Sequence, residues 1–243
     1  MDRAVLPKST YIYGAGEIGN LAEHVKKYGA KSFIIMDSLL VETMSQKISS
    51  SFKNAGSICE IVDVSETCSR EVVNRLVKAA KKFDHIIGIG NGNTLDIATE
   101  IAYQISSPFI IVPFITFTNA SCGLCSDISV KDYAIYARDP DMIIVDKQAI
   151  ADAPVPLIVK GIESTLSVYF EIRAAIRYSS KVSSRTDIMS FELMRLKKYY
   201  GRLLENGVQA IKDVEKNLVT PQLETVIRAC LYINYSYHSI ERS

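Results

Sequence analysis

No stretch of this 243-residue chain is apolar for long enough to cross a bilayer, which takes roughly 20 residues. The opening "MDRAVLPKST" also lacks the apolar core of a signal peptide. Charge of one sign is not in excess: 28 Lys and Arg stand against 27 Asp and Glu, a net +1. No basic stripe with interleaved aromatics occurs, so nucleic acid is not expected as a partner, and neither is a membrane. Histidine is scarce, with His24, His85 and His238 only. The five cysteines (Cys59, Cys68, Cys122, Cys125, Cys230) are too few and odd in number for a disulfide framework. They read as free thiols of a reducing compartment, and a cytoplasmic location is expected.

What is there is an alternation. "SFIIMD" (32–37), "CEIVDV" (59–64), "HIIGIG" (85–90), "FIIVP" (109–113) and "MIIVD" (142–146) are short Ile/Val runs, and "YAIYA" (133–137) is a further strand-like one. Residues 39–55, 69–83 and 94–105 have helical apolar spacing. Continuous apolar strands between amphipathic helices predict an α/β domain with a Rossmann-like parallel sheet covered on both faces. After "ADAPVP" (151–156) three long stretches of helical period follow and no strand. The domains expected are 1–153, α/β and nucleotide-binding, and 154–243, a partial all-helical domain. Thr220-Pro221 reads as a helix start, with threonine as N-cap and proline in the first turn.

Two glycine loops compete for a phosphate. "YIYGAGEIGN" (11–20) contains Gly14, Gly16 and Gly19 in G-x-G-x-x-G spacing after a short apolar run, and Asp37 ends the next strand. That is the outline of a dinucleotide fingerprint, with glycines for close phosphate approach and an acid for the ribose. "GIGNGNTLD" (88–96) also joins a strand to a helix, with Gly90 and Gly92 at the turn. Backbone N–H groups and the positive helix end would suit an anion there. Either loop alone also reads as a glycine turn that serves packing.

Five stretches in this order carry a resemblance: "GIGNGNTLDIA", "VPFITFTNASC", "DPDMIIVDKQAIADAP", "GIESTLSVYFEIRA" and "VTPQLETVIRA". Together they resemble the glycerol dehydrogenase branch of the iron-containing alcohol dehydrogenase family, from near the N-terminus to about Tyr235. The resemblance implies an NAD-dependent oxidoreductase acting on a small alcohol or polyol. It puts the pyrophosphate on Gly90, Asn91, Gly92, Asn93 and Thr94, and the adenosine ribose on Asp37. NAD is then preferred over NADP. Thr116, Thr118 and Cys125 belong to the loop beside the nicotinamide, where Cys122 and Cys125 are read as reduced pocket-lining thiols. The turn at Gly14 to Gly19 is, by the same resemblance, a strand-to-helix turn and not the main phosphate cradle.

The departures from the family pattern point the other way. Asn93 stands where relatives often carry Lys or Ser. Asn119, in "FTNAS", replaces a polyol-binding aspartate and is the expected substrate contact. The family's zinc or iron is held by an aspartate at a G-x-x-D helix start and two later histidines. Ser164 takes the aspartate's place and is a poor divalent ligand. Glu163 substitutes only if the helix start shifts, and the two histidines fall past the end of this sequence. A catalytic metal is therefore not expected. The alternative function is a non-catalytic nucleotide-binding relative acting as a partner or regulatory subunit. The last helical stretch carries Leu223, Val226, Ile227, Cys230, Leu231, Ile233 and Ile240 on more than one face. An exposed apolar patch is expected there, and with it a homo-oligomer or a protein partner bound through the C-terminal helices.

Overall fold

The computed structural model describes residues 9–65, 69–90, 92–114, 140–179 and 186–241. The described chain forms two compact units, one reaching Ala149 and the other starting at Ile150.

In the first unit six strands make one parallel sheet: β1 (Thr10–Gly14), β2 (Lys31–Asp37), β3 (Ile58–Val64), β4 (His85–Gly90), β5 (Phe109–Pro113) and β6 (Met142–Asp146). Their spatial order is β1-β6-β5-β4-β2-β3. All five pairings are parallel. Strands β4, β5 and β6 are buried at every position. They are covered on both faces, so they need apolar side chains on both, which is why they read as unbroken runs rather than alternating ones. The edge strands β1 and β3 are only half-buried, and their sequences are correspondingly more polar.

Helices α1 (Leu21–Val25), α2 (Val41–Asn54), α3 (Arg70–Ala80) and α4 (Gly92–Gln104) connect the strands, and α5 (Lys147–Ala151) follows β6. Each of the longer helices turns one stripe inward: Met44, Ile48 and Phe52 on α2, Val72, Val73 and Leu76 on α3, Leu95, Ile97, Ala98 and Ile101 on α4. Full burial of each large aliphatic side chain contributes about 1.5–3 kcal/mol against exposure. At the start of α3 the Ser69 hydroxyl accepts from the Val72 N–H (3.3 Å), an N-cap that satisfies one orphan donor. The strand-like run 133–137 lies outside the described residues.

The second unit consists of α6 (Val155–Ser179), α7 (Thr186–Val214) and α8 (Pro221–Glu241). The Thr220-Pro221 start is present as read. The Thr220 hydroxyl accepts from Leu223 N–H (3.2 Å) and donates to the Asp213 carboxylate at the end of α7. The cap thus also ties α8 to the helix before it.

Among the described side chains of α8 the expected apolar patch is not there. Leu223, Val226, Ile227, Cys230 and Ile233 are fully buried and Leu231 nearly so, because α8 packs against both α6 and α7. A helix between two partners needs apolar residues around more of its circumference than one stripe. The side chain of Ile240 lies outside the description. Tyr199 stacks on Tyr232 and Tyr169 on Tyr200, each pair with ring centres 4.1 Å apart. These tyrosines therefore pack helices together. Tyr232 Oη donates to Glu192 Oε1 (2.8 Å), which also accepts from the Ser236 hydroxyl (2.9 Å).

Candidate functional site

The connections locate a crevice. From β2 the chain moves outward to β3. It then returns across β2 to β4 and continues the opposite way to β5 and β6. The strand order therefore reverses between β2 and β4, and the loops leaving their C-terminal ends part to opposite sides. In open parallel sheets that switch point, outside the carboxyl ends of the strands, is where ligands bind.

Two residues flank it. β2 and β4 pair in register as far as Met36 with Ile89, which sets Asp37 beside Gly90. Asp37 Oδ1 accepts from the Leu39 N–H (3.1 Å), so the carboxylate caps the turn after β2. Gly90 has φ +141°, where side chains are rarely tolerated, and a Cβ there would stand 2.8 Å from Asp37 Cβ. The absent side chain leaves the backbone after β4 open to close approach beside a carboxylate. Gly92, φ +44°, starts α4, whose positive end faces this turn. Thr94 is buried in the first turn and Asn93 half-buried. The structure thus sets Asp37 beside Gly90, while Gly92, Asn93 and Thr94 form the first turn of α4. Asn91, Thr116, Thr118, Asn119, Cys122 and Cys125 lie outside the described residues.

The other glycine loop has a different occupant. After β1 the chain turns through Gly16, φ +81°, into a single 3-10 turn, Glu17–Asn20. The Gly16 N–H donates to Asp146 Oδ1 (2.8 Å) and the Ile18 N–H to Asp146 Oδ2 (2.7 Å). Asp146 is 2% exposed. Its Oδ1 also accepts from Gln148 N–H (2.9 Å) and Ala149 N–H (3.1 Å). A buried carboxylate of the chain itself therefore takes two of the N–H groups that a phosphate would use. Sequence reading missed Asp146. The available signal was that it ends "MIIVD" as Asp37 ends "SFIIMD".

The position matched to the metal-binding aspartate is not at a helix start. Gly161 to Ser164 lie well inside α6, which begins at Val155. Glu163 and Ser164 are both exposed. Among the described residues no group of three His, Cys, Asp or Glu is placed to hold a metal. His24 pairs with Glu17 (2.9 Å), and His85 with the Ser32 hydroxyl (2.6 Å) in a fully buried contact. Ser164 offers a neutral hydroxyl, a poor ligand for a divalent ion. Burial pushes the His85 pKa down to about 4, against opposing pulls from the Tyr28 backbone and Asp84. Burial also pushes the Cys230 thiol up to about 12 and raises that of Cys59. Neither is the low-pKa thiol of a reactive cysteine.

The profile of the family described as iron-containing alcohol dehydrogenase matches residues 7–147. A glycerol dehydrogenase of Escherichia coli is 32% identical over 241 residues, 96% of this chain and 66% of its own length. The chain belongs to the iron-containing alcohol dehydrogenase family, in its glycerol dehydrogenase branch. A glycerol dehydrogenase of Thermotoga maritima is 33% identical over 228 residues, 90% of this chain and 62% of its own length. The crystal structure of a probable glycerol dehydrogenase from Sinorhizobium meliloti superposes with TM-score 0.70 at 27% identity, covering 93% of this chain and 64% of that one. The chain spans about two thirds of the length of the curated relatives it matches. The expected fold, a parallel-sheet domain followed by helices, is the fold of this family. No helix among the described residues is long and apolar enough to cross a membrane.

Proposed function

We propose that this chain binds NAD in the crevice between β2 and β4 and serves oxidoreduction of a small alcohol or polyol. The observation that carries this reading is the placement of Asp37 beside Gly90 at the switch point. Asp37 would accept the ribose hydroxyls and repel a 2′-phosphate. The turn from Gly90 to Thr94 and the positive end of α4 would hold the pyrophosphate. When bound, NAD supplies the hydride acceptor. What the chain contributes is placement: a buried sheet fixes Asp37 and Gly90, and Asp146 closes the competing turn at Gly16 with a charge of the same sign as phosphate. Thr116, Thr118 and Cys125 are assigned to the nicotinamide side, and Asn119 to the substrate hydroxyl, on the family resemblance.

One observation favours a second reading. Ser164 is a neutral, exposed hydroxyl where the family's metal ligand is expected. On that reading the chain binds NAD without turnover and acts as a partner or regulatory subunit. Calorimetric titration with NAD and with NADP tests the shared part, and NAD binding abolished by a bulky residue at Gly90 is the expected result. Steady-state assays with glycerol and small diols, with and without added zinc, separate the two readings. Turnover supports the dehydrogenase, and binding without turnover supports the subunit. Absence of NAD binding, or binding lost on changing Gly16 and kept on changing Gly90, would overturn both.

A further inference from the structure

Helix α7 buries one face and leaves another open. Leu196, Leu203, Ala210 and Val214 are buried. On the open face Met194, Leu204 and Val208 stand 67, 54 and 67% exposed. The surface dips there into an open groove of about 510 Å³, lined by Met194, Lys197, Lys198, Gly201, Arg202 and Glu205. These residues fall into two adjoining sets with the spacing i, i+3, i+4 and i+7. Met194, Lys197, Lys198 and Gly201 make the first, and Lys198, Gly201, Arg202 and Glu205 the second. Residues so spaced are neighbours on a helix surface, and four of them frame the hole that takes one side chain of a facing helix. Gly201 belongs to both sets, and a Cβ on it would meet nothing within 4 Å, so the two holes merge into one depression. Charge on this face is in excess of one sign. Residues 194–212 hold Arg195, Lys197, Lys198, Arg202 and Lys212 against Glu205 alone. Lys197, Lys198, Arg202 and Lys212 are exposed. Lys197, Lys198 and Glu205 form no ion pair among the described residues. Arg202 lies over the Tyr199 ring, 5.6 Å from its centre, which holds the guanidinium beside the groove.

We propose that this groove docks an acidic amphipathic helix of another protein. Two holes in line along α7 accept two apolar side chains from neighbouring turns of a facing helix. Acids flanking those side chains meet Lys197, Lys198 and Arg202, the free cations of the rim. One basic residue meets Glu205, at the C-terminal end of the groove, and so fixes which way the partner helix runs. A second copy of α7 would bring the same excess of cations and is repelled. A lipid surface has no side chain to seat at Gly201, and an anionic one would repel Glu205. The protein partner expected at the C-terminal helices is thereby assigned to α7, because the described apolar residues of α8 are covered.

The 243-residue chain is titrated into a fluorescein-labelled synthetic peptide of about 18 residues, long enough to hold a helix. The peptide carries leucines along one face at alternating three- and four-residue spacing, flanked by glutamates, with one lysine near an end. A contact this small is weak, so fluorescence anisotropy should give a dissociation constant on the order of 100 µM at low salt, rising with salt. Gly201→Leu fills the depression, keeps every charge and favours the helix, and it should weaken binding at least about tenfold. Lys197→Glu with Lys198→Glu should weaken it as much, and should let the chain take up a peptide whose glutamates are replaced by lysines. Circular dichroism confirms that each variant is folded. Cosedimentation with vesicles of phosphatidylserine and phosphatidylcholine tests a lipid surface and should show no binding. No binding of the acidic peptide at about 1 mM, tenfold above the expected constant, overturns the proposal. So does binding indifferent to Gly201→Leu, which would be charge attraction alone, a double charge reversal that leaves peptide choice unchanged, or binding to the vesicles in place of the peptide.

Discussion

Asp37 and Gly90, far apart in sequence, lie side by side at the C-terminal edge of the sheet, where a Cβ on Gly90 would lie 2.8 Å from Asp37 Cβ. Gly90→Ala meets both that contact and an unfavourable φ of +141°. The variant is expected to lose about 1–3 kcal/mol of stability and to bind NAD at least about tenfold more weakly. Urea denaturation and calorimetry read the two effects separately. An unchanged midpoint together with unchanged affinity would show that the turn is not constrained as described.

Asp37→Asn keeps the shape of the side chain and removes its charge. Preference for NAD over NADP should fall, chiefly by gain of NADP affinity, because repulsion of the 2′-phosphate is lost. Matched titrations at fixed salt give the ratio. If wild type already binds NADP more tightly than NAD, the role given to Asp37 is wrong.

Asp146 accepts four backbone N–H groups while almost fully buried. Asp146→Ala leaves those donors without a partner, and a loss of about 3 kcal/mol or more is expected. Hydrogen exchange should report the damage locally, as faster exchange at Gly16 and Ile18. Exchange unchanged at those two amides would mean that the carboxylate does not hold the turn.

The buried His85 gives the first unit a pH dependence. Its folded pKa lies near 4, below the ordinary histidine value of about 6.5. The unfolded chain therefore takes up a proton that the folded one refuses. This contribution to stability is fully present above pH 6.5. It declines as pH falls through that value and is gone below about pH 4, a total on the order of 3 kcal/mol. His85→Gln, which can still meet the Ser32 hydroxyl, should flatten the fall in denaturation midpoint between pH 6.5 and 4. An equal slope in both proteins would assign the acid sensitivity to other groups.

The sequence by itself determined the architecture of the first unit at the level of elements. β2, β4, β5 and β6 must be apolar on both faces, and a residue pattern with no alternation states that directly. It also determined the start of α8, since Thr220 and Pro221 act on donors within the same turn. Asp37 was legible as a candidate because it ends a strand, and Gly90 because it begins a turn. Their adjacency was not legible, since only the parallel pairing of β2 with β4 puts them side by side. G-x-G-x-x-G likewise has a local spelling and a non-local meaning: Asp146, brought next to Gly14 by the pairing of β1 with β6, takes the N–H groups of that turn. Periodicity showed that α8 is apolar on more than one face, and only packing decided that α6 and α7 cover it while α7 keeps Met194, Leu204 and Val208 outside. The physical reason is the same in each case. Periodicity and capping act over a few residues, whereas the partner of a donor or an apolar face is chosen by whichever distant element the fold lays against it.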